Sequence, residues 1–232
     1  MRLVMLDTET TGLKVEEGHR LIEIGCVECI DRRLSDRQFH VYLNPEREID
    51  EGATQVHGWT WDQLKDKPLF SQVADELLEF VQGAALVIHN AEFDLGFIDD
   101  ELRRIGRPSL RSQVASVIDS LATARDLHPG QRNSLDALCT RYGIRNDHRV
   151  LHGALLDAQL LADVYLSMTR GQESLDMLSH DEAMTEQGAW PAVQSDGLLV
   201  RRATDTERAA HTAILSEIDR VSGGRLVWKS LN

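Results

Sequence analysis

The sequence contains few cysteines and no long apolar run. Among its 232 residues only three are cysteine, and no apolar stretch approaches the roughly 20 residues that a membrane-spanning helix needs. The apolar run that follows Arg2 is short and leads directly into acidic residues, so it lacks the pattern of a secretory signal. We therefore expect a protein of the reducing cytoplasm that has no membrane partner.

Basic residues are also scarce. The chain has 25 lysines and arginines against 38 aspartates and glutamates, which gives a formal net charge of −13. A sequence-independent nucleic-acid binder usually carries a basic surface. If this protein acts on nucleic acid, its own affinity should be weak. It would then need metal ions to bridge the phosphates and a partner to keep it on the substrate.

Five apolar segments have the length and the pattern of β-strands. Cys26 and Cys29 fall in the second of them, where residues i and i+3 point to opposite faces. A metal-binding or redox-active cysteine pair is therefore the less favoured interpretation. The predicted strands occupy residues 3–6, 21–30, 38–43, 85–88 and 116–120.

Helical periodicity follows or separates these strands. A short turn or helix is predicted for residues 50–58, and longer helices for residues 68–83, 91–105, 134–142 and 152–169. Three strands in quick succession, followed by strands that alternate with helices, indicate an α/β fold with a mixed sheet and helices packed on it.

The periodicity is lost near residue 170. Residues 171–200 gain Gly, Ser, Asp and Gln, and we interpret them as a flexible linker between a first domain, 1–170, and a C-terminal segment, 201–232. In that segment Thr204 and Glu207 have the spacing of a capping box. The apolar stripe that follows consists of Ala210, Ile214, Ile218 and Val221. One stripe on a lone helix cannot be buried within so short a unit, so we expect the helix to dock on another molecule.

Two carboxylates one residue apart follow the first strand. Asp7 and Glu9 come directly after the apolar run 3–6, and residues i and i+2 of a strand point to the same face. Like charges so close repel each other unless a cation lies between them, and hard divalent ions such as Mg²⁺ or Mn²⁺ are the natural occupants. The alternative is an ordinary polar turn with solvated acids.

Two predicted helices each carry an acid at the start of an apolar stripe. Asp94 lies in line with Ile98, and Asp157 lies in line with Leu161. An unpaired buried carboxylate is costly, although a single acid in this position can be a helix-capping residue. Together with the two strand acids they make four inward-pointing carboxylates. That number suits two divalent ions about 3.5–4 Å apart, an arrangement used in phosphodiester chemistry.

One histidine has a setting that suits catalysis. His152 lies five residues before Asp157, and a histidine beside a metal cluster can take the proton from an attacking water near neutral pH. Six other histidines have no comparable setting and are predicted to be surface or structural residues. They are His19, His40, His128, His148, His180 and His211.

Three stretches of the sequence resemble the exonuclease motifs of the DEDD superfamily, in its histidine subtype. They are Asp7-Thr8-Glu9-Thr10-Thr11-Gly12-Leu13, His89-Asn90-Ala91-Glu92-Phe93-Asp94 and His152-Gly153-Ala154-Leu155-Leu156-Asp157-Ala158. The resemblance covers about Leu3 to Thr169 and implies a ribonuclease-H-like fold that removes nucleotides from 3′ ends. It also implies two divalent cations, Mg²⁺ or Mn²⁺, and His152 as the general base. The implied metal ligands are Asp7, Glu9, Asp94 and Asp157.

Within this superfamily the chain is most similar to the proofreading subunits of bacterial replicative DNA polymerases. Val56-His57-Gly58 resembles an element that lies beside the terminal nucleotide in that group, and residues 203–228 resemble its polymerase-binding tail. The resemblance implies removal of mismatched 3′-terminal nucleotides from DNA, with the tail bound to a DNA polymerase catalytic subunit. We expect that contact to be made through Ala210, Ile214 and Ile218.

The same motifs supply candidate contacts to the DNA 3′ end. Backbone or hydroxyl groups of Thr8, Thr10 and Gly12 can position the terminal nucleotide. Phe93 offers an apolar face to a base or sugar, and a plain core role is the alternative. The full set of candidate substrate contacts is Asp7, Thr8, Glu9, Thr10, Gly12, His57, Asn90, Phe93 and Asp157.

A short stretch of the linker has a pattern of its own. Gln172 followed by Leu175 and Leu178 resembles the short peptides that dock on the bacterial sliding clamp. Residues 172–178 are therefore a candidate clamp contact. The alternative is a linker with a few incidental apolar residues.

Two other functions remain open from the sequence. One is RNA trimming by a related 3′ exoribonuclease with the same catalytic centre, and a polymerase-docking tail argues against it. The other is a replisome scaffold whose nuclease has decayed. The presence of all five polar residues, the four acids and His152, argues against that second function.

Overall fold

Five strands form one mixed β-sheet. The computed structural model describes residues 1–146, 151–170 and 203–223, and the chain divides into two units, Met1–His180 and Asp181–Asn232. The sheet lies in the first unit, and its order is β3-β2-β1-β4-β5. The meander of the first three strands is antiparallel, whereas β4 and β5 run parallel to β1, so the predicted mixed sheet is confirmed. The strands are β1 (Arg2–Thr10), β2 (Leu21–Ile30), β3 (Arg33–Tyr42), β4 (Ala85–Ile88) and β5 (Ser116–Asp119).

Seven helices and two 3₁₀ turns accompany the sheet in the described part of the first unit. The helices are α1 (Glu51–His57), α2 (Trp61–Leu64), α3 (Phe70–Val81), α4 (Ala91–Arg104), α5 (Ser120–Leu127), α6 (Leu135–Tyr142) and α7 (Ala154–Met168). The 3₁₀ turns span Val15–Glu17 and Leu110–Ser112. Every helix that the periodicity predicts is present. The helix α5 was not predicted. The short helix α2 and both 3₁₀ turns were not predicted either, because each is too short to show periodicity.

Both faces of β1 are buried. Val4 and Leu6 belong to a core shared with α3 and α4, whereas Leu3 and Met5 belong to a second core shared with α6 and α7. Strand alternation causes this division, because neighbouring residues of a strand point to opposite faces. A strand that is buried on both faces has a continuous apolar sequence, as residues 3–6 do.

The two cores also separate two cysteines of β2. Cys26 belongs to the first core and Cys29 to the second, and both are free and buried. The expectation that they point to opposite faces is therefore confirmed. The cysteines fill space in the core and do not form a pair.

The end of β5 differs from the prediction. Ser120 is the first residue of α5 and not the last residue of a strand. The carboxylate of Asp119 accepts hydrogen bonds from the backbone N–H groups of Leu121 at 2.8 Å and Ala122 at 3.2 Å. This side-chain cap ends the strand and starts the helix.

Two further boundaries shift. The helix predicted from Pro68 begins at Phe70, where Gln72 Oε1 accepts a hydrogen bond from the Leu69 N–H at 2.9 Å. The third strand starts at Arg33, because a tight hairpin pairs Arg33 with Ile30. The first part of β3 is mostly exposed and polar, so its sequence shows no alternation of apolar and polar residues there.

The second unit is described only for residues 203–223, which contain α8 (Asp205–Val221). Thr204 Oγ1 accepts a hydrogen bond from the Glu207 N–H at 3.3 Å, and Glu207 Oε2 accepts one from the Thr204 N–H at 2.7 Å. The predicted capping box is confirmed, and the apolar stripe of α8 is exposed. The predicted linker, including residues 172–178, lies outside the described residues, so the domain boundaries stay a prediction. No helix in the described part of the chain is long and apolar enough to span a membrane.

Candidate active site

Two acidic side chains lie at the carboxyl end of β1 on one face of the sheet. Asp7 and Glu9 continue the alternation of Leu3 and Met5, which places them on the side of the sheet that α7 covers. In the antiparallel register Asp7 lies opposite Gly25 of β2. The position of the strand acids thus follows directly from strand parity.

The lack of a side chain at Gly25 decides how closely α7 approaches the sheet. A Cβ atom at this position would lie 2.3 Å from the Ala154 carbonyl carbon and 2.3 Å from the Leu155 nitrogen. The first turn of α7 therefore rests on β2 directly beside Asp7. That turn carries Asp157, which is buried.

His152 lies next to Asp157, just before α7 begins. The distance from His152 Nδ1 to Asp157 Oδ2 is 3.3 Å. One potential ligand atom each from Glu9, His152 and Asp157 lies within 4.8 Å of the others, so these three residues can hold a metal ion. Asp157 is buried and the His152 side chain is 43% exposed, so His152 forms the solvent-facing side of the group.

Asp94 reaches the same place from the other face of the sheet. It lies in the first turn of α4, is 3% exposed and accepts a 2.6 Å hydrogen bond from the Thr8 hydroxyl. Burial raises the pKa of Asp94 to about 7, the nearby Asp119 adds to the increase, and the Thr8 hydrogen bond opposes it. A nearby cation would stabilise the charged form of this carboxyl group, because it offsets the cost of burying the charge.

The two sets of acids meet at the end of β1. A cavity of about 260 Å³ is lined by all four predicted acids and by His152. The odd-numbered acids of β1 and Asp157 come from the α7 side, and Asp94 comes from the α4 side. We call this cavity the carboxylate pocket.

A larger cleft of about 540 Å³ adjoins the carboxylate pocket, and both are lined by Thr8, Glu9 and Phe93. The cleft is also lined by Thr10, Gly12 and His57, so most of the predicted substrate contacts surround one space. Asp7 and Asp157 line only the carboxylate pocket, and Asn90 lines neither space. Asn90 begins α4 with an exposed side chain and φ of 74°.

His57 has a defined ring orientation in the lining of the cleft. It is buried, and its Nδ1 accepts a 3.0 Å hydrogen bond from the Trp59 N–H. Burial lowers the pKa of His57, and the nearby His152 lowers it further, while the Thr10 backbone has the opposite effect. A neutral ring whose Nδ1 accepts must carry its proton on Nε2. That Nε2 atom is itself buried and interacts with the Thr10 backbone, so His57 contributes an uncharged ring that is fixed in the lining of the cleft.

Phe93 fits both of its alternative interpretations. Its ring centroid is 5.1 Å from that of Phe97, and the side chain packs against the first core. The same side chain lines both cavities. The ring is thus held by the core on one side and available to a ligand on the other.

Sequence reasoning missed several residues that line these cavities. His89, Ser134, Leu135 and Asp136 line the carboxylate pocket. The position of His89 directly after the predicted strand 85–88 was a usable signal. In the structure its Nδ1 lies 3.0 Å from Oγ of Ser120, the first residue of α5. The other three lie at the start of α6, which only tertiary packing brings to the pocket.

His19, which was predicted to be a surface or structural residue, is buried and also forms part of the lining of the large cleft. It is 5% exposed. The distance from its Nδ1 to Thr11 Oγ1 is 3.1 Å. A Cβ atom on Gly12 would lie 2.2 Å from the His19 ring. Glycine is therefore required at position 12 if the ring is to form this wall of the cleft.

Comparison with known proteins identifies the class. The family model for exonucleases of the RNase T type matches residues 4–165. The chain belongs to this exonuclease family. The match includes all the residues that line the carboxylate pocket.

Nearly the whole chain is also similar to one named protein, DNA polymerase III subunit epsilon. The Escherichia coli (strain K12) subunit is 48% identical over 238 residues, which cover 99% of this chain and 98% of that protein. The Pasteurella multocida (strain Pm70) subunit is 45% identical over 236 residues, with 98% and 93% covered. The predicted resemblance to proofreading subunits is confirmed, and the protein is a 3′-5′ exonuclease.

Solved structures agree on the fold. Exonuclease X in complex with 5′-overhanging duplex DNA matches with a TM-score of 0.57 and 26% identity, over 73% of this chain and 92% of that one. The Escherichia coli ExoI–ssDNA complex matches with a TM-score of 0.65 and 18% identity, over 77% of this chain and 43% of that one. The predicted ribonuclease-H-like architecture is confirmed.

Proposed function

We propose that the protein removes mismatched 3′-terminal nucleotides from DNA as the proofreading subunit of a bacterial replicative DNA polymerase. The observation that carries the proposal is the convergence of four carboxylates and His152 on one pocket beside a cleft of nucleotide size. The named relatives are polymerase subunits, and exonuclease X was solved with DNA. Such a subunit would act in the cytoplasm.

The residues of the carboxylate pocket fit divalent cations. Oxygen ligands suit hard ions, and buried acids with few cationic neighbours need a positive charge. In this proposal Asp7, Glu9, Asp94 and Asp157 hold two ions, Mg²⁺ or Mn²⁺. When bound, the ions supply Lewis-acid activation of water and stabilisation of the leaving 3′ oxygen.

His152 takes the proton from the attacking water. Its ring is oriented by the contact of Nδ1 with Asp157, and the side chain is 43% exposed, so water can reach it. The imidazole ring is suited to this task near neutral pH. An alternative role for His152 is that of a metal ligand, since it belongs to the group that can hold an ion.

The terminal nucleotide occupies the large cleft. The Thr8 hydroxyl donates to Asp94, and the Thr10 hydroxyl donates to the Gly12 carbonyl at 2.6 Å. Both hydroxyl protons are already used in hydrogen bonds within the protein. Backbone groups around Gly12 are therefore the better candidates for binding the nucleotide. His57 and Phe93 flank the base or sugar from the walls of the cleft.

A partner delivers the 3′ end. With a net charge of −13 the protein should hold DNA weakly, because phosphate binding depends on basic neutralisation. The exposed stripe of α8 docks on the polymerase catalytic subunit and raises the local concentration of the nuclease at the primer end. Residues 172–178 bind the sliding clamp in the same assembly.

The substrate proposal is tested with a 3′-labelled mismatched DNA primer in Mg²⁺, beside an RNA strand of the same sequence. We expect the DNA to be shortened from its 3′ end, faster at the mismatch than in a matched duplex, and the RNA to be cut much more slowly. Preferred digestion of the RNA would support the exoribonuclease alternative instead. A peptide of residues 170–180 titrated against the clamp tests the linker, and no binding at high micromolar concentration would end that part of the proposal.

A further inference from the structure

A buried glutamate lies behind the acids of the carboxylate pocket. Glu23 of β2 pairs in register with Glu9 of β1, so the two side chains lie on the same face of the sheet. Glu23 is 2% exposed, and its Oε1 lies 2.8 Å from His40 Nε2 of β3. Tyr42 of β3, which pairs with Glu23, also interacts with its carboxylate, although Oε2 is buried and makes no hydrogen bond of ordinary geometry. A carboxylate in this setting is costly and requires a compensating interaction.

The N-terminus of α7 provides such an interaction. A Cβ atom on Gly153, the N-cap residue of α7, would lie 3.9 Å from Glu23 Oε1. No side chain caps α7 through a hydrogen bond. The positive end of a helix dipole stabilises a nearby anion, and the anion in turn stabilises the helix end. Glu23 therefore places a negative charge where α7 needs one.

The segment that leads into α7 is held at three points. The side chain of Leu151 fills the space at Gly58, where a Cβ atom would lie 2.5 Å from Leu151 Cδ1. The His152 N–H donates to the Val56 carbonyl at 3.1 Å. Gly153 lies beside the buried glutamate, which is the charged contact among the three.

We propose that Glu23, held by His40, is a positioning residue that fixes His152 and Gly153 at the entrance to α7. His152 then presents its ring to the attacking water in one orientation. Glu23 itself is buried and has no access to the substrate. The inference rests on the proposed role of His152 as the general base.

The first test is Glu23→Gln, which keeps the size of the side chain and removes its charge. We expect kcat to fall about tenfold or more with an unchanged KM for DNA, because a small misplacement of a reacting group is costly. His40→Gln should lower kcat in the same direction by a smaller factor. An unchanged kcat in both variants, with the protein folded, would overturn the inference.

The decisive test combines Glu23→Gln with His152→Ala. If Glu23 acts by positioning His152, its replacement should cost little further activity once His152 is absent, so the two losses should not multiply. Independent, multiplying losses would overturn the inference while leaving the general base in place. If His152→Ala alone left the rate unchanged, the proposed function of His152 would fail instead.

Glu28→Gln is the matched control. Glu28 is a second buried glutamate of β2, and it binds Arg2 at 2.7 Å and Arg37 at 3.1 Å. Its replacement should lower the melting temperature without changing kcat per folded molecule. A merely structural role for Glu23 would give this same pattern and would also overturn the inference.

Discussion

The catalytic unit buries acids, whereas the C-terminal helix exposes aliphatic side chains. Asp94 and Asp157 are each 3% exposed, while Ile214 and Val221 are 61% and 72% exposed. Both regions depart from the usual distribution of residues between core and surface. In both regions the exposure of the side chains is unfavourable unless another group binds there. In our proposal cations complete the first region and a polymerase subunit completes the second.

Burial of an acid does not by itself mark such a place. Burial alone would raise the pKa of Glu28, but hydrogen bonds from Arg2 and Ser35 and the charge of Arg37 hold it below its ordinary value. For Asp94, the Thr8 hydroxyl offsets only part of the effect of burial, and the pKa rises to about 7. Neighbouring arginines lower the pKa of Glu28, a structural acid. The effects that set the pKa of Asp94, an acid of the carboxylate pocket, include no cationic side chain.

The largest effect is expected for Asp157→Ala. Loss of this carboxylate should reduce hydrolysis of single-stranded DNA to near background, because the pocket would lose a ligand from its centre. The fold should remain intact, and the metal-free protein should be at least as stable as the wild type, since repulsion among the acids is relieved. Turnover with Mg²⁺ and a thermal melt without metal measure the two effects. Near-normal turnover would contradict the metal-binding role of this residue.

The next effect in size is expected for His152→Ala. A general base contributes about 10²–10⁴-fold, so kcat should fall by that order. The acid limb of the pH–rate profile should also flatten, since the group that must lose its proton for activity is absent. The measurement is kcat across about four pH units centred near neutrality, for the variant and the wild type. A profile identical in shape to that of the wild type would show that another group takes the proton.

A smaller effect is expected for Gly25→Ala. The added Cβ atom would meet the backbone of α7 at 2.3 Å, and overpacking of this kind costs about 1–3 kcal/mol. Displacement of the first turn of α7 should also lower kcat. Gly52→Ala is the control for stability, because a Cβ atom there has no neighbour within 4 Å. Equal free energies of unfolding for the two variants would contradict the close seating of α7.

The smallest effect on the nuclease itself is expected from changes in the tail. Ile214→Asp, or truncation at about residue 185, should leave hydrolysis of free single strands unchanged. Either change should remove the gain that the polymerase gives on mismatched primers, which tethering can make as large as about 10²–10⁴-fold. Ser216→Asp adds the same charge to the opposite side of α8 and should keep the gain. Continued co-elution of the truncated chain with the polymerase subunit would place the docking surface elsewhere.

Local periodicity was enough to predict much of this protein. Strand parity placed Asp7 and Glu9 on one face, and helical spacing placed Asp94 and Asp157 toward the core. The capping box at Thr204 was likewise visible in the sequence and is present. These features depend on residues a few positions apart, so the sequence alone determined them.

Tertiary structure decided what those residues meet. The approach of α7 to Gly25, the placement of Asp136 beside the acids of β1 and the pairing of Glu23 with Glu9 join parts of the chain that are far apart in sequence. No local pattern specifies such contacts, because they depend on the sheet order and on how closely a helix can approach a strand. The sequence determined which side chains point inward, and only packing decided that they converge on one pocket.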